Sequence, residues 1–546
     1  MFYSQSCSKE LPSSYMPKIY IFLVLSIITI LPVFLSGDLA IEYKIKMTIS
    51  GLLLVISSAW FYKFKIGKIY TVFAALLWAL NLSTSFFFYK EHDIGFSSTI
   101  AETVINTNSS EAAGMLSYNK YYILFFICMS LIYYLSVRWL SFYTSNQQGK
   151  YGLILLIGFL PLIFIDYYAM GKDQKNNLIA TEHFFMGTPF YNASAMVRSL
   201  HDVRQIKKIA NININYKYQK NDTDIETYIL IIGESSRRDH MQIYGYQHPN
   251  TPNLVNQKNN ILLFTQAISP APVTLLSVPI SLSNIQYEQL NDKSYYADNI
   301  ISLANHAGFK TFWFSNQGKA GKSTSLISAI AHKSQNSRWQ NTITYDEDLL
   351  PYLDNALQEK GKKLIVLHLY GSHEPACNRF PEKRLQHYGD NQDDNCYDSS
   401  IAYTDSIIGN IINKVDQQKA SILYFSDHAL QRIDNNGDIR YHHGVNKTKK
   451  EAYQIPLLIW YSDKINQQKR KIGNIDHPVS TANNYFLISD WLGIIHKEHK
   501  QTCYSALRTC FNGNTPIRVL DGNKNILDYQ KLPSEKNVIL NAQSPK

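Results

Sequence analysis

Two regimes of hydrophobicity divide the chain. Up to Met170, five long apolar runs follow one another, at residues 19–36, 47–62, 69–89, 121–137 and 151–170. Each is near the length a helix needs to cross about 30 Å of hydrocarbon. A single run could be a signal peptide or a buried core helix, but five in succession predict a membrane-spanning bundle. No comparable run follows. From Thr227 the apolar segments shorten and alternate with helical stretches. Strands are expected at 228–232, 311–315, 364–369, 422–425 and 457–461, and helices at 295–307, 346–360, 398–415 and 482–492. That alternation predicts an α/β domain with a mostly parallel central sheet covered on both faces. The expected division is therefore a five-helix transmembrane domain (1–170), a juxtamembrane linker (171–224) and a catalytic-type α/β domain (225–546).

Charge orients the membrane part. The connection after the second run carries Lys63, Lys65 and Lys68, and the one after the fourth is flanked by Arg138 and Lys150. The long connection after the third holds Glu91, Asp93, Glu102 and Glu111. The positive-inside rule puts the basic connections, and with five crossings Met1, in the cytoplasm, and everything after Met170 outside. The net charge of +10 is then an attraction to an anionic membrane surface, not a nucleic-acid signal, because an exported domain meets no nucleic acid routinely. Residues 193–210, with Arg198, Arg204, Lys207 and Lys208, form either a basic interfacial helix or a plain connector packed on the soluble domain. The tail from Asp521 is expected to be loosely held.

Of the six cysteines, Cys377, Cys396, Cys503 and Cys510 fall in the exported part. Four cysteines permit three pairings. The local one, Cys377 with Cys396 and Cys503 with Cys510, closes short loops, and an oxidising periplasm would stabilise both bridges. The spacings do not resemble those of a structural zinc site.

Chemistry concentrates at strand ends. The first expected strand ends in Gly233-Glu234, the third in the stretch HLYGSHEP (368–375), and the fourth in Ser426-Asp427-His428, with His443 a little beyond. Carboxylates and imidazoles gathered at the same end of one sheet provide ligands that suit zinc or manganese. Between the first two strands, a proline-stiffened loop (269–273) runs into an apolar helix-like segment beginning at Thr274. A threonine there can be a simple N-cap. It can equally be a nucleophile, placed where free amides and the helix dipole bind phosphoryl oxygens.

Taken together, these pieces resemble the phosphoethanolamine transferases of Gram-negative bacteria, members of the sulfatase and alkaline phosphatase superfamily. The matching motifs are GES with RRDH and YGY at 233–246, TxxSVP at 274–279, SNQG at 315–318, GSHEP at 371–375, YD and YTD around Asp398 and Asp405, SDH at 426–428 and HG at 443–444. The RRDH and GSHEPAC forms look closer to the branch that modifies the lipopolysaccharide core. The resemblance implies an inner-membrane enzyme with a periplasmic catalytic domain, in which Glu234, Thr274, Asp427 and His428 ligate zinc and Thr274 is the nucleophile. It also implies phosphate or second-metal contacts at His373 and His443, and a phosphate contact at Lys319. The implied donor is phosphatidylethanolamine in the bilayer, and the implied acceptor is lipopolysaccharide core or lipid A. Arg237, Arg238, Asp239 and His240 are expected to shape the adjoining loop and helix.

Two departures stand out. No cysteine precedes Thr274, where Ala271-Pro272-Val273 stands, and SDHALQ replaces the usual SDHGES. The alternatives are a phosphoglycerol transferase of the lipoteichoic-acid synthase type, using manganese, and a sulfatase-like hydrolase. The stretch NQGKAGKST (316–324) ends like a P-loop but has Asn316 where the first glycine belongs, which excludes a nucleotide site of that kind.

Overall fold

A computed structural model describes residues 30–35, 41–92, 96, 98–106, 120–143, 185–209, 212–221, 223–317, 325–340, 344–435, 438–443, 448–497, 503–513 and 515–535. Two compact units emerge, one comprising Met1–Val104 with Glu111–His201, the other Ile105–Ser110 with Asp202–Lys546.

In the first unit, three helices among the described residues are long and apolar enough to cross a membrane: Ile41–Phe61, Lys65–Lys90 and Lys120–Ser141. They correspond to the second, third and fourth apolar runs. The run at 151–170 lies outside the described residues, as does most of the run at 19–36, whose residues 30–35 are helical. Alanines 74, 75 and 79 let the second helix approach its neighbours around buried Trp78 and Tyr133, while Ile69, Phe73, Leu76 and Leu80 face outward. Some polar groups inside this unit are matched, although Trp78 Nε1 and Asn81 Nδ2 are buried without a hydrogen-bond partner among the described residues. Asn192 takes Asn81 Oδ1 through its backbone N–H at 2.9 Å, and its side-chain amide donates to Ser85 Oγ at 2.9 Å.

The second unit is built on an eight-stranded sheet. Its strands are β1 (Thr227–Gly233), β2 (Ile261–Ile268), β3 (Lys310–Ser315), β4 (Asn336–Trp339), β5 (Lys363–His368), β6 (Ala420–Ser426), β7 (Leu457–Tyr461) and β8 (Gly473–Ser480). Their spatial order is β8-β2-β7-β6-β1-β5-β3-β4. All run parallel except β7, which is antiparallel to both β2 and β6. Strand β1 is buried on both faces, as a near-continuous apolar run in a parallel sheet should be. Tyr228, Leu230 and Ile232 join one core with Trp313, Val366 and Phe425. Ile229 and Ile231 join the other with Leu367, Tyr424 and Trp460. The register sets Ile232 against His368 and Gly233 against Ser426, so the residues that follow β1, β5 and β6 emerge at one edge.

Sequence patterning anticipates five of these strands. β4 (NSRW) and β8 (GNIDHPVS) are polar edge strands in which no apolar alternation is present to be read, and β8 shifts register between Ile475 and Pro478. In β2 the apolar ILLF gives way to partly exposed Thr265 and Gln266, which breaks the period. The helix expected at 295–307 divides at Asp298-Asn299 into a 3-10 turn, Lys293–Ala297, and an α-helix, Ile300–His306, because the Asn299 side chain caps the second piece. The helix expected from 398 starts earlier, at Gln392, behind an Asn391 cap. The tail is also firmer than expected. Arg518–Leu520 pairs with Ile526–Asp528, and Leu520 is fully buried beside Leu276. Ile206 and Ile209, at the end of the helix Asn192–Ile209, pack into the same cluster.

Both bridges adopt the local pairing, Cys377 with Cys396 and Cys503 with Cys510. The first ties the loop after β5 to the helix Gln392–Val415 across a sequence separation of 19 residues. Removing it with a C377S/C396S double variant should cost about 3 kcal/mol on the chain-entropy account and lower the melting temperature in detergent, read by circular dichroism. An unchanged melt would show that the loop's hydrogen bonds alone hold it.

Candidate active site

The edge where β1, β5 and β6 end gathers the buried acids. Gly233 is needed there because a Cβ would come within 2.8 Å of the Tyr424 ring. Ser235 then turns the chain with φ of 60°, in the left-handed region. The turn lets Ser235 Oγ donate to Glu234 Oε1 at 2.6 Å and its N–H donate to Asp427 Oδ1 at 3.2 Å. Asp427 Oδ1 also accepts the His428 N–H at 2.7 Å, whereas Asp427 Oδ2 is buried with no hydrogen-bond partner among the described residues and lies 3.6 Å from His428 Nε2.

Thr274 opens the helix Thr274–Leu282, but the N-cap is Val273, with no side-chain cap bond. The threonine hydroxyl is therefore free of the capping role. It donates to Glu234 Oε2 at 2.9 Å and lies 3.2 Å from His428 Nε2. His428 Nδ1 faces the Ala429 carbonyl at 3.1 Å, which directs Nε2 into the site, 3.1 Å from Glu234 Oε1. His443 presses Nδ1 on Glu374 Oε1 at 3.0 Å, and one ligand-type atom each from Glu234, His428 and His443 lies within 4.8 Å of the others. His373 sets Nδ1 on the Glu374 carbonyl at 2.7 Å and its ring 5.5 Å from that of His443. Lys319 lies outside the described residues.

Glu234, Asp427 and His428 are fully buried, and the two acids share one space. Burial would push the Glu234 carboxyl up, but the adjoining His428 imidazole and nearby His373 hold it well below the usual range. Asp427 goes the other way: burial and the negative charge of Glu234 push its carboxyl well above the usual range. Glu234 Oε1, the Thr274 hydroxyl and Asp427 Oδ2 lie 3.1, 3.2 and 3.6 Å from His428 Nε2, a donor set that fits a divalent cation such as zinc.

Comparison with known proteins accords with this arrangement. A sulfatase family profile matches residues 226–494, and the transferase YhbX N-terminal domain matches 8–210. A provisionally named transferase, YhbX of Escherichia coli strain K12, is 35% identical over 470 residues, covering 84% of this chain and 85% of that one. The phosphoethanolamine transferase OpgE of the same strain is 30% identical over 285 residues, about half of each chain (50% and 51%). This chain belongs to the phosphoethanolamine transferases of the sulfatase and alkaline phosphatase superfamily. Two solved structures share the fold. The integral membrane lipooligosaccharide phosphoethanolamine transferase A of Neisseria meningitidis has a TM-score of 0.56 at 20% identity, over 87% of this chain and 95% of that one. The periplasmic domain of Escherichia coli EptC, solved in complex with zinc, has a TM-score of 0.51 at 23% identity, over 59% and 98%.

Four residues that the sequence reading assigned no role hold the site in shape. Gln317 donates from Nε2 to Glu234 Oε2 at 2.8 Å and is anchored on the Leu369 carbonyl at 2.8 Å. Asp346, buried, accepts the N–H groups of Tyr370 and Gly371 at 2.8 and 2.9 Å and the Asn316 amide at 2.8 Å. Glu374 orients His443, whose imidazole holds that carboxyl down, to about 2, against the upward push of burial. Asp398 takes His240 at 3.0 Å, Tyr246 at 2.8 Å and His248 at 2.9 Å, which fixes the RRDH and YGY stretch. Gln317, Glu374 and Asp398 stood inside recognised motifs, so the signal for them was present. Asp346 carried none, because an acid opening a helix is common.

Within the site, Gly371 marks the tightest approach. It has φ of +47°, and a Cβ would meet Glu234 O at 2.7 Å and Glu234 N at 2.9 Å. Gly361 has φ of +90° with nothing within 4 Å of a Cβ. Gly361→Ala should therefore cost only backbone strain, about 1 kcal/mol, with turnover near wild type. Gly371→Ala should displace Glu234 and lower turnover at least tenfold. Equal turnover in the two variants would remove the close approach as a constraint on the site.

Proposed function

We propose that this enzyme moves phosphoethanolamine from phosphatidylethanolamine to lipopolysaccharide core or lipid A, through a covalent intermediate on Thr274. The single observation that carries the reading is the Thr274 hydroxyl: it opens a buried helix without capping it, and it is shared between Glu234 Oε2 at 2.9 Å and His428 Nε2 at 3.2 Å. In this reading Glu234, Thr274, Asp427 and His428 hold one zinc ion, the metal present in the EptC domain structure. When bound, zinc supplies Lewis acidity at the threonine hydroxyl and neutralises charge on the phosphoryl group.

The protein's own groups account for the rest of the reaction. Glu234 Oε2 takes the hydrogen bond from Thr274 and so aims the oxygen lone pair outward. The amide groups of the first turn of Thr274–Leu282 face the phosphoryl oxygens at the positive end of the helix dipole. The Thr274 hydroxyl first gives up its proton to solvent; its oxygen then forms its bond to phosphorus as the bond from phosphorus to the diacylglycerol oxygen breaks, and a histidine on the open side, His373 or His443, delivers the proton that diacylglycerol needs to leave. In the second step the acceptor oxygen attacks phosphorus, the bond to Thr274 breaks and leaves that oxygen deprotonated for the next cycle, and the same histidine takes the acceptor's proton. Lys319, just past the SNQG motif, is the proposed further phosphate contact.

The proposed arrangement in the cell is an inner-membrane protein of five spans with Met1 in the cytoplasm, a linker at 171–224, and the domain 225–546 in the periplasm. A lipid donor fits that arrangement, since its head group must reach the site while its tails stay in the bilayer.

Thr274→Ala should abolish transfer while leaving the melting temperature within a few degrees of wild type. The assay is mass spectrometry of lipopolysaccharide from cells with and without the protein, reading one phosphoethanolamine unit and its position; full activity in the variant would end the covalent mechanism. Glu234→Ala should separately deplete zinc in the purified protein by elemental analysis, and wild-type zinc content would take Glu234 off the list of ligands.

A further inference from the structure

The C-terminal residues 517–535 lie beyond the segment matched by the sulfatase profile, which ends at 494. They nevertheless touch the segments that carry Glu234, Thr274 and Asp427-His428. Leu520 donates its N–H to the Pro270 carbonyl at 2.8 Å, in the loop that leads to Thr274. The Tyr453 hydroxyl donates to the Leu520 carbonyl at 2.9 Å, and Tyr529 OH accepts from Gln454 at 3.0 Å. Pro533 accepts the Lys450 N–H at 2.9 Å, and Glu451 takes the Glu535 N–H at 2.9 Å together with the Ser534 hydroxyl.

Glu535 makes the decisive contact. Its Oε2 accepts Arg237 Nη1 at 2.9 Å, and its Oε1 accepts the same nitrogen at 3.1 Å and the Arg432 backbone N–H at 2.9 Å. Arg237 stands three residues after Glu234, and Arg432 four after His428. One carboxylate thus joins the segment bearing the first acid of the site to the segment bearing Asp427 and His428. Arg432 is also the second residue of the hairpin Gln431–Asn435 and Asp438–His442, which ends next to His443. The contact is far from a surface pair: side-chain exposure is 4% for Arg237 and 14% for Glu535. The remaining donors of Arg237 go to Asp239, at 2.9 and 2.7 Å, while Nη1 also reaches the Leu430 carbonyl at 3.3 Å. Removing the Glu535 charge leaves the Nη1 side of a buried guanidinium with one carbonyl and uncouples the two segments.

We infer that Glu535 is a positioning residue for the metal site, a latch at the end of a C-terminal strap that holds the Glu234 and Asp427-His428 segments at ligand distance. The inference rests on the metal reading above. Carboxylates that support metal ligands from outside are worth about 10–100-fold in metal affinity, and Glu535 should fall at the lower end because it acts through the backbone.

The test uses the full-length protein in detergent, stripped of metal and titrated with zinc against a chromogenic chelator. Amide hydrogen exchange at 234–237 and 430–432 is followed in parallel on the metal-free protein. Glu535→Gln should weaken zinc binding about tenfold and speed exchange in both segments. Glu451→Gln, a milder loosening of the same strap, should shift both readings the same way by less, which keeps the test open if Glu535→Gln folds poorly. Glu288→Gln, which breaks an exposed pair with Arg518, should change zinc affinity less than twofold. Wild-type affinity together with unchanged exchange in Glu535→Gln overturns the latch. Wild-type protein that takes up no zinc overturns the metal reading, and exchange alone then decides: faster in both segments supports the strap, and unchanged rates overturn it.

Discussion

Two carboxylates, Glu234 and Asp427, lie fully buried at the ends of neighbouring parallel strands, and the rest of the domain is arranged around that repulsion. Isolated buried charge costs several kcal/mol per ion even after relaxation. Part of that cost is offset by hydrogen bonds from the Ser235 and His428 amides, the Ser235 hydroxyl, Gln317 and Thr274. Asp427 Oδ2 receives none of them. A proton or a cation must therefore balance the pair, and the upward shift of the Asp427 carboxyl says which group would take the proton in the absence of metal.

Such a pair persists only on a rigid base. Parallel strands that run the same way and are buried on both faces deliver both acids to one edge without a flexible loop between strand and ligand. Around them a shell of other acids holds the loops rather than the cation: Asp346 grips Tyr370 and Gly371, Asp398 grips His240, Tyr246 and His248, and Glu374 grips His443. The division of labour follows from hydrogen bonding. The holding acids spend their oxygens on protein donors, while Asp427 keeps one back.

The parts legible from sequence were those that follow from short-range pattern. Strand β1 reads directly, because TYILIIG is apolar throughout and ends in glycine, and the three motif ends were assignable because strand, turn and ligand are contiguous. Edge strands β4 and β8 were not legible, since a strand half exposed to water needs no apolar alternation. Asp346 and Glu535 were not legible for another reason. Their partners lie 24 and 298 residues away, at Tyr370 and Arg237, and no local period encodes a contact at that range. The Thr274 hydroxyl was ambiguous in sequence between cap and nucleophile, and only the backbone could place the N-cap at Val273.

The missing cysteine before Thr274 shows how the same constraint can be met without a covalent bond. A disulfide would pin the loop 269–273 to a neighbouring segment. Here Ser269 Oγ lies 2.6 Å from the Asp427 carbonyl and 2.7 Å from the Ala271 carbonyl, so its single proton bridges the nucleophile loop to the strand end that bears the second acid. The Ser269 N–H meets the Tyr453 carbonyl at 2.8 Å, and Leu520 closes on Pro270 from the C-terminal side. Three hydrogen bonds between buried groups, each worth about 1 kcal/mol net, rival the contribution of a short-loop disulfide. They differ from it in one respect. A disulfide holds the loop whatever the rest of the domain does, whereas these bonds exist only while β6, Tyr453 and the C-terminal strap are in place. The position of the nucleophile is thereby coupled to segments 153 to 246 residues downstream of Thr274, from Asp427 to Leu520, and the geometry of the site becomes a property of the folded domain as a whole.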